Sequence, residues 1–203
     1  MFELNAFIKR LFDLILAIVL LTILSVLFLL IMILISIESS GGPFFRQVRV
    51  GKNNLDFKIW KFRTMYQGAD KKGLLTVGDR DARVTKLGFI LRKYKLDELP
   101  QLFNIVRGDM SFVGPRPEVR KYINLLSDEQ LNVLSVRPGL TDFASIKYVN
   151  ESQILSQCSD PEKKYVEDIL PEKIELGRAY IEKSSIVIDI RLIFQTLYEI
   201  VIK

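Results

Sequence analysis

No histidine occurs anywhere in the 203 residues, and cysteine and tryptophan occur once each. The first absence removes the imidazole base and the imidazole metal ligand from the chemistry open to this chain. Cys158 has no partner for an internal disulfide, and a single thiol fits a reducing compartment. Any catalysis must therefore use carboxylates, hydroxyls, amines or that one thiol. Internal repeats and low-complexity tracts are missing too, so the length implies one modest domain with a real core.

Apolar residues are what the chain has in excess. They make up 49% of it, and the mean hydropathy is +0.20. One run explains much of this: the 24 residues from Leu14 to Ile37 carry no charge and are interrupted only by Thr22, Ser25 and Ser36. About 20 such residues suffice to cross the hydrocarbon core as a helix, and the run exceeds the usual h-region of a cleaved signal, ~7–15 residues. It reads as a membrane segment. Before it, Leu4, Phe7, Ile8, Leu11 and Phe12 recur at helical spacing beside Lys9 and Arg10, the pattern of an interfacial helix. After it, residues 41–72 hold eight Lys and Arg against Asp56 and Asp70. Positive flanks mark the cytoplasmic side. Here both flanks are basic, which leaves two readings open: a hairpin entering and leaving one face, or a span with weak orientation bias.

Gly41-Gly42-Pro43 ends the segment. "PFFRQVRV" and "LDFKIWKF", joined by Gly51-Lys52-Asn53-Asn54, predict a β-hairpin. Residues 68–84 read as a long charged loop. Leu87, Ile90, Leu91 and Tyr94 predict a helix, and a second is expected to begin at Asp97, with Asp97 as N-cap, Pro100 in the first turn and Gly108 as the stop. "GPRPE" (114–118) reads as a rigid loop and "VRPGL" (136–140) as a turn. A third helix is expected over about 119–134, a charged helical stretch over 161–183 with a break at Pro171, and an amphipathic helix in the tail, which could lie on a bilayer surface.

Within "KYKLDELPQLF" (93–103), Asp97 and Glu98 are adjacent, and Arg92, Lys93 and Lys95 crowd the approach. At a helix start, free N–H groups and a nearby arginine lower carboxylate pKa values and keep the acids ionised, as a nucleophile or Mg²⁺ ligand requires. Capping alone also explains the pair, and on the local sequence by itself it is the favoured reading. Lys58, Lys61, Arg63, Arg92, Arg116 and Arg137 sit in or beside turns and strand ends. Phosphate binding, plain surface charge and attraction to anionic lipid all remain open for them. No nucleic-acid motif is present, so no nucleic-acid partner is expected.

"KRLFDLILAIVLL", "GPFFRQVRVGKNNLDFKIWKFRTM", "LRKYKLDELPQLFNIVRGDMSFVGPRPE" and "VRPGLTDFAS" together resemble the bacterial sugar transferase family, the monotopic phosphoglycosyl transferases that act on polyprenol phosphate. The resemblance covers nearly the whole chain, in order and at matching spacing. It is to the small members that lack a large N-terminal membrane bundle. It implies an α/β membrane-associated fold: an N-terminal amphipathic and re-entrant membrane hairpin over residues 1–40, and over 41–203 a catalytic domain with a small sheet and several helices on the cytoplasmic face of the bacterial inner membrane. It further implies transfer of a sugar 1-phosphate from a UDP-sugar to undecaprenyl phosphate in surface-glycan synthesis. The route is ping-pong, with release of UMP, a covalent intermediate on Asp97 and a requirement for Mg²⁺. Glu98 would assist through the metal or the acceptor, both acids would hold the metal, and Arg92, Arg116, Arg137, Lys61 and Arg63 would contact phosphate or nucleotide.

Two positions depart from the family pattern. Ser25 is followed by Val26 where a Ser-Pro pair commonly breaks the membrane helix, leaving Ser25 as the expected break. Asp142 in "GLTDF" stands where glycine is usual, either altering the pocket or tolerating a left-handed turn. Two other function classes stay open: a silent membrane-anchored scaffold, and a UDP-sugar hydrolase needing no lipid acceptor. The sugar is not legible, and the apolar tail permits a homodimer.

Overall fold

The computed structural model describes residues 2–69 and 81–202; most of the loop expected over 68–84 lies outside them. The apolar run forms two helices, α1 (Phe2–Ile23) and α2 (Ser25–Glu38). They meet at Leu24 with a bend of 62°, and neither alone is long and apolar enough to cross a membrane. Ser25 is the first residue of α2, so the break falls one residue before it. The hydroxyl that bonds back to the preceding turn at the bend belongs to Thr22, donating to the Ile18 carbonyl at 2.9 Å. A hydroxyl bonded back in this way can bend a helix.

The hairpin forms as expected. Strands β1 (Phe44–Val50) and β2 (Asp56–Phe62) pair antiparallel with Phe44 opposite Phe62 and Val50 opposite Asp56. Asn53 and Asn54 take positive φ in the turn, which asparagine tolerates better than most residues. Helix α3 (Lys86–Lys93) follows, capped by Thr85, whose hydroxyl accepts from Gly88 N–H at 2.9 Å. A Cβ on Gly88 would lie 2.1 Å from the Thr64 carbonyl oxygen, so only glycine lets α3 approach the end of the hairpin this closely.

Helix α4 runs Gln101–Arg107. The expected start at Asp97 is displaced because Lys95 turns left-handed (φ 54°) and Leu96–Glu98 form a separate 3₁₀ turn. Gly108, left-handed at φ 92°, ends α4 as predicted. Two elements were not foreseen: β3 (Ser111–Val113) and, after α5 (Arg120–Ile123), β4 (Gly139–Thr141), which pair parallel. Three residues each is too short to show a period of two. The helix expected over 119–134 is only α5 plus a 3₁₀ stretch, Gln130–Ser135. Between them Ser127 and Gln130 cap one another reciprocally, restarting the chain as a capping box does. Then come α6 (Phe143–Lys147), α7 (Glu151–Ser156), α8 (Pro161–Lys164), α9 (Leu170–Lys183) and α10 (Ile186–Ile202). Pro171 does not break its helix: it lies in the first turn of α9, where its missing N–H costs little, directly after a π turn over Tyr165–Ile169.

Three apolar clusters hold these parts. Ala17 of α1 joins Ile59, Leu102, Ile105, Phe112, Tyr180 and Leu192. Arg10 donates to the Ile105 and Val106 carbonyls at 2.6 and 2.9 Å, satisfying the open end of α4. Phe28, Ile31 and Ile35 of α2 pack on Phe62 and Leu91, with Leu96 and Leu99 alongside. The turn carrying Asp97 and Glu98 therefore rests on α2. A third cluster joins Val119, Tyr122, Tyr165 and Ile174. On the outer face of α1 and α2, Ile23, Val26, Leu29 and Ile37 are exposed, as are Val187, Phe194 and Tyr198 of α10.

Candidate active site

The acid pair lies at the meeting point of β2, α3, the 3₁₀ turn and the "GPRPE" loop. Both carboxylates are buried, Asp97 at 6% and Glu98 at 9% exposure. Glu98 is tied down: Lys61 Nζ donates to its Oε1 at 2.8 Å, and Arg116 Nη2 donates to the same oxygen at 2.6 Å. Arg116 Nη1 reaches Oε2 at 3.5 Å. Asp97 is not tied down in this way. Its Oδ1 is buried without a hydrogen-bond partner, as are Arg63 Nε and Gln101 Nε2, and each buried unpaired group calls for an explanation.

These surroundings separate the two acids. Burial pushes the Asp97 carboxyl above its ordinary value and the neighbouring Glu98 charge adds to that, against the pull of Lys61, Arg92 and Lys95. Burial would raise Glu98 as well, but Arg116, Lys61 and Lys95 overcome it and hold Glu98 well below the usual carboxylate range. The expectation that a helix start lowers both acids is corrected for Asp97, because it is not an N-cap; Pro100 precedes α4. Glu98 stays ionised as the partner of two cations. Asp97 is a desolvated carboxyl with one oxygen free.

Several residues without an obvious signature aim the cations. Asn104 of α4 accepts from Trp60 N–H at 2.9 Å and donates to the Lys58 carbonyl at 2.8 Å, acting as a third strand beside β2 and fixing the backbone that carries Lys61. Thr64 accepts from Arg92 Nε at 2.8 Å, and Arg92 lies near enough for its charge to act on Asp97. Arg116 is set by the parallel pair. Gly114 N–H donates to the Thr141 carbonyl and Gly139 N–H to the Pro115 carbonyl, at 3.1 and 3.0 Å. A Cβ on Gly139 would meet Gly114 N at 2.1 Å. Further along, Glu118 accepts from Tyr165 at 2.6 Å and pairs with Arg49 at 3.6 Å, anchoring the far side of the loop.

Asp142 is buried in extended backbone (φ −162°), not in a left-handed turn. It caps α6, accepting from Ser145 N–H at 2.7 Å and Ser145 Oγ at 2.6 Å, and its Oδ2 accepts from Arg116 N–H at 3.2 Å. It acts on the site through the arginine's backbone.

The sequence-predicted residues thus divide. Lys61, Glu98 and Arg116 touch; Asp97 and Arg92 adjoin them. Arg63 lies elsewhere, buried at the end of α2 and donating to Ser39 O and Oγ at 2.7 and 3.0 Å. Arg137 Nε donates to the Gly108 carbonyl at 2.8 Å. No cluster of three or more acidic, His or Cys ligands occurs among the described residues. A divalent cation would have to complete its shell with substrate oxygens. Two adjacent carboxylates with one free buried oxygen fit Mg²⁺, which commonly binds one or two carboxylates plus substrate phosphates.

Residues 4–203 match the family described as bacterial sugar transferase. The chain is 37% identical over 195 residues to a UDP-N-acetylgalactosamine-undecaprenyl-phosphate N-acetylgalactosaminephosphotransferase of Aeromonas hydrophila, covering 95% of this chain and 43% of that protein. It is 32% identical over 200 residues to the UDP-glucose:undecaprenyl-phosphate glucose-1-phosphate transferase of Escherichia coli, covering 96% and 40%. To the exopolysaccharide production protein ExoY of Sinorhizobium fredii it is 34% identical over 205 residues, covering 93% and 83%. The chain spans less than half the length of the first two relatives and most of the third.

Proposed function

The chain belongs to the bacterial sugar transferase family, and from that premise we propose that it moves a sugar 1-phosphate from a UDP-sugar to undecaprenyl phosphate in polysaccharide synthesis. The observation that carries this reading is the contrast within the acid pair: Glu98 held by Lys61 and Arg116, and Asp97 beside it with a buried oxygen that nothing in the protein satisfies. A structural cap would have used that oxygen.

In the first step an Asp97 carboxylate oxygen attacks the β-phosphorus of the UDP-sugar. An acyl phosphate O–P bond forms, the bond from the β-phosphorus to the bridging oxygen breaks, and UMP departs with its electron pair. In the second step a phosphate oxygen of the polyprenyl phosphate attacks the same phosphorus, making the diphosphate and returning Asp97 as carboxylate. A carboxylate nucleophile divides one difficult transfer into two easier ones. Burial strips water from Asp97 and makes its ionised form more basic. Arg116, Lys61 and Arg92 supply positive charge where phosphoryl oxygens gain negative charge. Glu98 keeps Arg116 and Lys61 in place for that work. Mg²⁺, held by Asp97 and Glu98 together with substrate oxygens, would neutralise the diphosphate. The bent α1–α2 pair enters and leaves one membrane face, the cytoplasmic one, with its exposed apolar residues in lipid. This placement meets the acceptor's phosphate where its isoprenoid chain leaves the bilayer.

The sugar-specific relatives differ between N-acetylgalactosamine and glucose, so the donor is sought with a panel. Detergent-solubilised protein is incubated with each UDP-sugar, Mg²⁺ and undecaprenyl phosphate, and UMP is measured. One donor is expected to give acceptor-dependent UMP, and intact-mass analysis without acceptor to show a sugar-phosphate adduct on the wild type. Asp97→Asn is expected to abolish both. UMP release that ignores the acceptor would favour a hydrolase. Full turnover in Asp97→Asn would remove the nucleophile assignment.

A further inference from the structure

Lys95 takes a left-handed backbone conformation, φ 54° and ψ 18°, immediately before the turn that carries the acid pair. It is not a loose residue. Its N–H donates to the Arg92 carbonyl at 3.1 Å and its carbonyl accepts from Glu98 N–H at 3.2 Å, so the strained geometry is fixed from both sides. Glycine takes this conformation freely, whereas a residue with a Cβ does not. Such outliers cluster where a side chain is needed in one place.

The side chain gives the reason. Of the cations around Asp97 and Glu98, Lys61 and Arg116 are bonded to Glu98, and Arg92 Nε is bonded to Thr64. Lys95 is solvent-exposed, and among the described residues its ammonium makes no hydrogen bond or ion pair. Yet its charge acts on both Asp97 and Glu98. Its backbone carbonyl holds the Glu98 N–H and so fixes the residue beside the acid pair, its ammonium N–H donors have no partner among the described residues, and a lysine ammonium is a strong point-charge partner for phosphate oxygens.

We propose that Lys95 is a substrate-binding residue whose ammonium grips a phosphate oxygen of the molecule lying against Asp97. This rests on the transferase reading above. Two substrates bring phosphate to the same place, the soluble nucleotide donor and the lipid acceptor. The ammonium's chemistry toward either is the same.

The test uses full-length protein with Lys95→Gly, which relieves the backbone, Lys95→Gln, which keeps the stem without the charge, and Lys93→Gln as a neighbouring surface control. Calorimetric titration of UDP in Mg²⁺ buffer reads the donor side, and KM for undecaprenyl phosphate reads the acceptor side. Thermal melts are expected to show Lys95→Gly at least as stable as wild type. Both Lys95 variants are expected to lose about tenfold in UDP affinity or to raise the acceptor KM about tenfold, and the arm that moves identifies the phosphate. Lys93→Gln is expected to match wild type in both. Unchanged values in both arms would overturn the proposal, as would an equal loss in Lys93→Gln, which would make the effect one of general surface charge. A wild type that transfers normally while the Lys95 variants are unaffected removes this inference alone. A wild type with no transfer to lipid removes the function itself.

Discussion

Arg116 Nη2 and Glu98 Oε1 stand 2.6 Å apart, joining the loop between β3 and α5 to the turn between α3 and α4. Neither charge is cheap to bury alone, since a buried carboxylate without its partner is strongly disfavoured. The pair places the one arginine of "GPRPE" against the active turn and leaves Asp97, the next residue back, without a competing claim on its oxygen.

The pH dependence of transfer follows from the two acids. On the proposed mechanism attack requires ionised Asp97, whose pKa lies above the ordinary aspartate value because of burial, with Lys61 the strongest charge pulling it down and Glu98 pushing it up. Lys61→Met is therefore expected to move the acid limb of kcat/KM to higher pH, and Glu98→Gln to move it to lower pH. The maximal rate of Glu98→Gln is expected to fall by about 10²-fold, because Arg116 and Lys61 lose the carboxylate that positions them. Profiles shifting in the same direction would contradict this assignment of charges. Stability has its own signs. Glu98, held low, adds stability above its unfolded pKa that is lost as pH falls through its folded value. Asp97, held high, adds stability below its unfolded pKa that is lost as pH rises through its folded value.

Asp142 separates structure from positioning. Asp142→Ala removes the α6 cap and is expected to cost ~1 kcal/mol in thermal or urea melts. Asp142→Asn can still cap through its amide oxygen, but its NH₂ then faces the Arg116 N–H, donor against donor. Stability is expected to fall less in Asp142→Asn than in Asp142→Ala, while UMP release falls several-fold in both. A wild-type rate in Asp142→Asn would show that Arg116 does not depend on this bond.

The bend at Leu24 makes a further prediction. Val26 is the second residue of α2, a first-turn position where proline is tolerated. Val26→Pro is expected to keep wild-type activity and membrane association, because the chain is already broken there. Thiol-accessibility labelling of Asn5→Cys and Lys52→Cys, in a Cys158→Ser background, is expected to show both on one membrane face. Opposite faces would rule out re-entry.

Much of this could be read from residues alone. The charge-free run, the Asn-Asn hairpin turn, the left-handed stop at Gly108 and the acid pair all carry local signals. What could not be read depended on partners distant in sequence. Asp97 looks like a cap because aspartate before a proline-led helix usually is one; the left-handed Lys95 that prevents it has no signature. Strands β3 and β4 are three residues each and exist only because each finds the other. Asn104 and Thr64 are ordinary polar residues until the fold sets them against β2 and Arg92. Arg63 and Arg137 resemble phosphate ligands by charge and neighbourhood, and their hydrogen bonds go to Ser39 and Gly108.

The packing of α2 against Phe62, Leu91, Leu96 and Leu99 has one more result. On the proposed placement of α2 in lipid, the turn bearing Asp97 would ride at a fixed height above the hydrocarbon, and an isoprenoid-tethered phosphate would be confined to a similar height by its own tail. Their meeting becomes a search across a plane instead of through a volume, and only the soluble nucleotide must arrive from the third dimension.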